Sequence, residues 1–244
     1  MLTLSNSDFL SLWEQGQPMH PLDRALLAIR LSLSREEAAE FNASVADWPL
    51  GRKNRALARL RTLYFGPLLE GWTVCPECGE QLEFKLDCRN FESTPQPARD
   101  EHVSFGSKTF RLPTSRDLAS IANQTDSNNA VLSLLRACTI ASDDARSSGS
   151  YSALSVNEID DIANRMADAD PLAEISVGFD CPICHHASEE VLDLSDFLWT
   201  EIESRARRLL SEVHLLALAY GWAESDILSL SDSRRTAYLQ MVQS

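Results

Sequence analysis

The chain reads "TVCPECGE" at residues 73–80 and "FDCPICHH" at 179–186, the same Cys-Pro-x-Cys phrase written twice, about a hundred residues apart. Either these are two separate redox or metal elements, or they are two halves of one site. Aligned on the first cysteine, the phrases agree beyond the motif. Cys75 and Cys181 are each followed by proline, by a second cysteine (Cys78, Cys184) and, at the same offset, by a Leu-Asp pair (Leu86-Asp87, Leu192-Asp193). Each has an aromatic residue just upstream, Trp72 or Phe179, and each sits between two strand-like runs. This is the zinc-knuckle pattern, a tight turn whose two thiolates point to one side.

Two thiolates supply half of a tetrahedral sulfur shell, so one knuckle leaves zinc under-coordinated and two complete it. Zn²⁺ suits soft thiolates and needs no redox chemistry to be stable there. The spacing therefore predicts one shared structural zinc on Cys75, Cys78, Cys181 and Cys184, with everything between the knuckles an excursion from a common centre. Two alternatives stand beside it. Independent thioredoxin-like dithiols would need each motif to open a helix in a βαβ context. His185 or His186 could also replace one cysteine as a ligand. A closed four-ligand shell has no open position for water, which makes it structural and not catalytic.

The totals bound the class. The chain has 244 residues, 44% hydrophobic and 24% charged, ordinary for a soluble globular protein with room for one large domain or two small ones. No stretch approaches the roughly 20 apolar residues of a membrane span. The opening "MLTLSNSDFLSLWEQG" has neither a basic n-region nor a small-residue cleavage site, so a cytoplasmic protein is expected. A net charge of −14 repels phosphate backbones and speaks against general nucleic-acid binding. In a reducing compartment the six cysteines argue against a disulfide framework. Cys88 and Cys138 read as small buried hydrophobes, and His20, His102 and His214 have no ligand spacing to one another.

Periodicity sketches an α+β, helix-rich chain. Residues 1–70 read as a helical N-terminal region. "HPLDRALLAIRLSLS" has helical spacing, and Ser34 with Glu37 fits a capping box for a following helix. Residues 71–112 form the first knuckle and a β part, with "QLEFKLD" a strand, "ESTPQPARDE" a loop and Gly106-Ser107 a hairpin turn inside "HVSFGSKTFRL". Residues 113–172 form an inserted helical segment, with starts at Thr114/Asp117 and Ser155/Glu158, a helix through 131–140 and a mobile loop "SDDARSSGSYS". Residues 173–194 return as a strand and the second knuckle, closing the zinc site. Residues 195–244 are a long C-terminal helix of about 26 residues, roughly 39 Å, ended by Gly221, with a helical tail. The whole is a β zinc-ribbon-like centre interrupted by a helical insertion.

No G-x-S-x-G, H-E-x-x-H, Walker loop or G-x-G-x-x-G occurs, and adjacent acids such as Asp143-Asp144 and Asp160-Asp161 read as solvated surface. No catalytic constellation emerges, and a small-molecule substrate has no candidate site. The stretch 51–69 holds Arg52, Lys53, Arg55, Arg59 and Arg61 and no acid. That run is a solvated face paired with the acidic "EIDDIANRMADAD" helix, a docking surface for an acidic partner through Arg52, Arg55 and Arg59, or a nucleic-acid contact, which no aromatic interleaving supports. Trp222, directly after Gly221, is either packing for the helix end or an interface anchor.

Several longer phrases carry a family resemblance: "PLDRALLAIRLSL" (21–33), "WPLGRKNRALARLRTLYFGPLLEGWTVCPECGEQLEF" (48–84), "FRLPTSRDL" (110–118) and "LWTEIESRARRLLSEVHLLALAYGWAESDILSLSDSRRTAYL" (198–239). Together they resemble the T-even-type phage baseplate proteins, which also occur in contractile injection systems. The tail "YGWAESDILSLSDSRRTAYL" is similar in style to phage tail assembly chaperones. The resemblance implies a non-enzymatic role in building or stabilising a baseplate or hub, with other baseplate or hub proteins as partners and incorporation in a tail-like particle. The rival expectations are a zinc-ribbon nucleic-acid-binding or regulatory module, and a dithiol or zinc-dependent enzyme.

Overall fold

The computed structural model describes residues 1–34, 37, 44–97, 101–140 and 154–243. Helices α1 (Asn6–Gly16) and α2 (Pro21–Ser32) open the chain, followed by a 3₁₀ turn (Val45–Asp47) and α3 (Leu50–Phe65). A hairpin of β1 (Leu68–Val74) and β2 (Gln81–Asp87) comes next, then a single helical turn, α4 (Asn90–Ser93). Beyond it lie β3 (His102–Phe105), β4 (Lys108–Arg111), α5 (Ser115–Ile121), α6 (Ser127–Cys138), β5 (Thr139–Ile140) and α7 (Val156–Ala169). A second hairpin, β6 (Ser176–Asp180) and β7 (Ala187–Val191), leads into α8 (Leu194–Tyr220), α9 (Glu224–Ser229) and α10 (Asp232–Gln243). The chain is thus α+β and helix-rich, with small sheets and a long helix near its C-terminus. No helix among the described residues is long and apolar enough to cross a membrane.

Two compact units divide these elements. The first comprises residues 1–42, 63–65 and 194–244. In it α8 packs against α1, α2, α9 and α10. The periodicity of α8 is realised as burial of Leu198, Ile202, Ala206, Leu209 and Leu216, facing an apolar set that includes Phe9, Leu12, Ala28 and Ile29. Gly221 ends the helix, its N–H donating to the Ala217 carbonyl at 2.8 Å. Glu203 and Arg207, four residues apart on α8, pair at 2.7 Å, and Arg205 lies over the Phe9 ring, 4.6 Å from its centroid. Ser34 and Glu37 exchange the two capping-box hydrogen bonds, and the helix expected to follow falls largely on residues outside those described.

The second unit comprises residues 43–62 and 66–193. Its excursion between the knuckles has its own core. Val103, Phe110, Leu112, Leu135, Cys138, Ile162 and Met166 cluster where the antiparallel sheet β3-β4-β5 meets α6 and α7. Gly106-Ser107 makes the two-residue turn between β3 and β4, and the two caps expected at Thr114/Asp117 and Ser155/Glu158 are both complete capping boxes. Arg111 binds Asp117 through both terminal nitrogens, at 2.6 and 2.8 Å. Burial opposes ionisation of Asp117, but the hydrogen bonds from Arg111 and Thr114 outweigh it and hold the carboxyl below its ordinary range. The loop expected over 142–152, Asp143-Asp144 and residues 98–100 lie outside the described residues.

The phrase "WPLGRKN" now has a physical meaning. Pro49 bridges Thr114, and the Leu50 N–H donates to the Pro113 carbonyl at 3.1 Å, which joins this phrase to "FRLPTSRDL". Helix α3 has no cap from its own side chains. Asp170, 1% exposed, supplies one from far along the chain: its Oδ2 accepts from the Gly51 N–H at 2.8 Å. A Cβ on residue 51 would stand 1.8 Å from Asp170 Oδ1, so only glycine admits this approach. Asn54 completes the tie, donating to the Leu172 and Ala173 carbonyls at 2.8 and 3.2 Å. Burial raises the Asp170 pKa, against the Gly51 N–H and the charge of Arg55. Asp170→Ala is expected to cost about 1–3 kcal/mol in denaturant unfolding, since it strands a buried N–H at a helix start. Asp170→Asn keeps the acceptor without the buried charge and should stay within about 1 kcal/mol of the parent; equal losses for both variants would contradict the cap.

Candidate metal centre

Each Cys-Pro-x-Cys phrase occupies the tip of a hairpin, and the two tips are built alike. Val74 pairs with Gln81 and Asp180 with Ala187, leaving loops of the same length, 75–80 and 181–186. In the first, the Cys75 N–H donates to the Glu80 carbonyl at 2.8 Å and the Gly79 N–H to the Cys75 carbonyl at 2.9 Å. In the second, the corresponding bonds run from Cys181 to His186 at 3.0 Å and from His185 to Cys181 at 2.9 Å. The fifth position of each loop takes a left-handed backbone, φ 76° at Gly79 and 57° at His185. Glycine adopts this conformation without cost, whereas a residue with a Cβ is strained there. His185 is the only non-glycine residue with positive φ among the described residues.

The loops bring their four sulfurs together. Cys75 Sγ lies 3.6 Å from Cys184 Sγ, and Cys78 Sγ lies 3.5 Å from Cys181 Sγ. The first cysteine of each loop thus faces the second of the other, as a local two-fold exchange requires. All four sulfurs lie within 4.8 Å of one another, and none is in a disulfide. For comparison, a tetrahedral shell with Zn–S of about 2.3 Å has sulfurs roughly 3.8 Å apart. The two cross-loop contacts are close to that edge, and no edge needs to contract by more than about 1 Å. A set of four thiols at this spacing fits a soft divalent ion, and His185 and His186 are not members of the cluster.

The electrostatics of the thiols fit the same use. Backbone N–H groups of Cys184 and then Ile183 favour the Cys181 thiolate against desolvation, and with its Cys78 and Cys184 neighbours bring it down to about 7. The Glu80 N–H favours the Cys78 thiolate, but desolvation and the neighbouring thiols outweigh this and push it up to about 12. Cys184 also moves up, its His186 N–H overcome by desolvation and by Cys75 and Cys181. Four sulfurs this close cannot ionise together without a cation among them. Cys75 and Cys181 are buried and Cys78 and Cys184 exposed, so the cluster is covered on its inner side.

Apolar residues that the motif does not announce support the hairpins from below. Leu82 and Phe179 pack against Cys75 and Cys181, and Phe84 meets Phe179 edge-on with centroids 5.7 Å apart. Strands β2 and β6 border a cleft of about 490 Å³ beside these rings. The period-two alternation of "QLEFKLD" is the sequence signal for them. Cys88 and Cys138 lie elsewhere, both fully buried.

Of the other residues singled out from the sequence, the basic run lies in the second unit and Trp222 in the first. Arg52 stacks on Trp48, 4.5 Å from the ring centroid. Arg55 donates to the Glu92 and Thr94 carbonyls, and Arg61 to the Gly66 carbonyl at 2.7 Å. Lys53 is buried, which lowers its pKa, and feels the charge of Asp193. Arg59 is the exposed member of the run. Trp222 stacks on Tyr220 at 4.8 Å and meets Tyr238 edge-on at 4.9 Å.

The matched loops generate a paired prediction. Gly79→Ala should cost about 1–2 kcal/mol in thermal or denaturant unfolding, because it forces a Cβ into the left-handed region. His185→Gly should be neutral or stabilising by up to about 1 kcal/mol for the converse reason. Equal losses at both positions would show that the fifth residue does more than turn the chain.

Searches of curated proteins and of solved structures find no match to the chain. A family model does match: T4 bacteriophage base plate protein, over residues 44–199. The matched span covers the second unit, with the 3₁₀ turn, both hairpins and the excursion between them, and stops short of the tail phrases after residue 199. Since it takes in well over half of the chain, this protein belongs to the T4 bacteriophage base plate protein family.

Proposed function

We propose that the protein is a non-enzymatic structural or assembly component of a contractile tail baseplate or hub, whose second unit is closed by one structural zinc on Cys75, Cys78, Cys181 and Cys184. Family membership implies contact with other baseplate proteins and a place in a phage tail particle. The observation that carries the metal is the meeting of four sulfurs from two loops of identical backbone pattern. With all four positions filled by the protein, the ion would hold the two hairpins together and bind no substrate. Assembly would take place in the cytoplasm before incorporation in the particle. A tail-assembly chaperone role and an injection-system setting are narrower forms of the same proposal.

The rival zinc-ribbon reading as a nucleic-acid module has charge against it. The two knuckle hairpins carry eight acidic residues and a single lysine, and so repel phosphate. A dithiol enzyme would need a motif at a helix start, and both motifs sit in hairpin turns.

Cys181→Ser tests the ligand set. Losing one sulfur should lower metal content and destabilise the second unit by a few kcal/mol, part of the roughly 10–16 kcal/mol that structural zinc contributes in small fingers. Most helical signal should survive, because α1, α2, α8, α9 and α10 belong to the other unit. Unchanged melting and metal content would remove Cys181 from the site. Metal affinity should also weaken as pH falls, because protons compete for the thiolates, with Cys181 protonating as pH drops through about 7. For the biological role, a host lacking the gene should yield incomplete tails that wild-type protein restores. Complete tails without it would contradict the baseplate assignment of its function.

A further inference from the structure

Among the described residues, the outer face of the first hairpin is left exposed. Strand β1 alternates, with Leu69 buried and Leu68, Trp72 and Val74 turned outward at 55%, 63% and 46% exposure. Leu68, Glu70, Trp72 and Val74 share this face at period two, so Trp72 and Val74 form an adjacent apolar pair and Glu70 stands between Trp72 and Leu68. The register sets Glu83 directly opposite Trp72 and Gln81 opposite Val74, and Glu70 pairs with Lys85 at 2.7 Å beside them. At this hairpin Glu70 is paired with Lys85 and Asp87 with Arg89, while the two knuckle hairpins taken as a whole are acidic. Residues 68–87 hold five acids and one lysine, and 176–193 hold four acids and no lysine or arginine, a formal −8 of the chain's −14. Four metal-bound thiolates would add further negative charge to the hairpin tips.

We propose that this face, with Trp72 as its anchor, docks a basic segment of another tail protein that offers an apolar pocket to the indole. The inference rests on the baseplate role proposed above and names the chemistry of the partner. A second copy of this chain would bring acid against acid, and nucleic acid would bring phosphate, so charge selects a cationic protein surface. Tryptophan is the residue type that most often anchors such contacts, with a rim of charged groups steering approach.

The test replaces Trp72 by a photo-crosslinking phenylalanine in cells assembling tails, with Leu218, 77% exposed on α8, as the control position. Zinc content, melting and incorporation of the chain into tails are read separately. The expected result is a crosslink from position 72 to a peptide of another tail protein richer in lysine and arginine than in acids. Glu83→Lys should lower its yield about fivefold or more, and Trp72→Ala should lower incorporation about tenfold, with melting and zinc content unchanged. A crosslink to this chain itself, to nucleic acid or to an acidic peptide would overturn the proposal, as would its absence in a chain that is incorporated normally. If the wild-type chain, with Trp72 intact, never enters tails, the baseplate role fails and this inference falls with it.

Discussion

The two hairpins of the second unit meet at four sulfur atoms held within 4.8 Å of one another by loops 103 to 109 residues apart in the chain. Each hairpin alone is two short strands, too few to bury a face in water. Their shared apolar support is small, centred on Leu82, Phe84 and Phe179. A cross-link closing a loop of about a hundred residues removes unfolded-state entropy worth roughly 4–5 kcal/mol in the covalent case, and a metal clip acts in the same sense. Without a cation the cluster is a collection of thiols competing for protons, with Cys181 and Cys78 pushed in opposite directions.

The excursion is not held by that site alone. It carries its own apolar cluster and is tied to α3 by Asp170, Asn54 and the Pro49–Thr114 bridge. These ties also account for the basic run. Helix α3 spends Arg55 and Arg61 on backbone carbonyls and Arg52 on the Trp48 ring, which keeps a positively charged helix in an acidic chain by internal use of its charges. Arg59 is the exposed member of the run. Trp222, set between Tyr220 and Tyr238, packs at the end of α8 within its own unit.

The paired knuckles were legible because a motif repeated with matched flanks constrains geometry more than either copy alone. Helix α8 was legible from its long apolar period and its glycine stop. The caps at Thr114 and Ser155 were legible because a capping box is a local hydrogen-bond pattern. Asp170 was not, since nothing local marks an acid that caps a helix more than a hundred residues away. The division of the chain into two units was hidden for the same reason: α1 and α2 join the C-terminal helices through contacts that no period records. His185 in a left-handed turn could have been read by aligning it with Gly79, which occupies the same place in the first loop.

The most direct measurement of the central claim is metal analysis of gently purified protein together with zinc-edge X-ray absorption. The account predicts close to one zinc per chain with four sulfur neighbours at about 2.3 Å. Two zincs per chain, nitrogen in the first shell, or a metal-free protein that is folded and stable would contradict it.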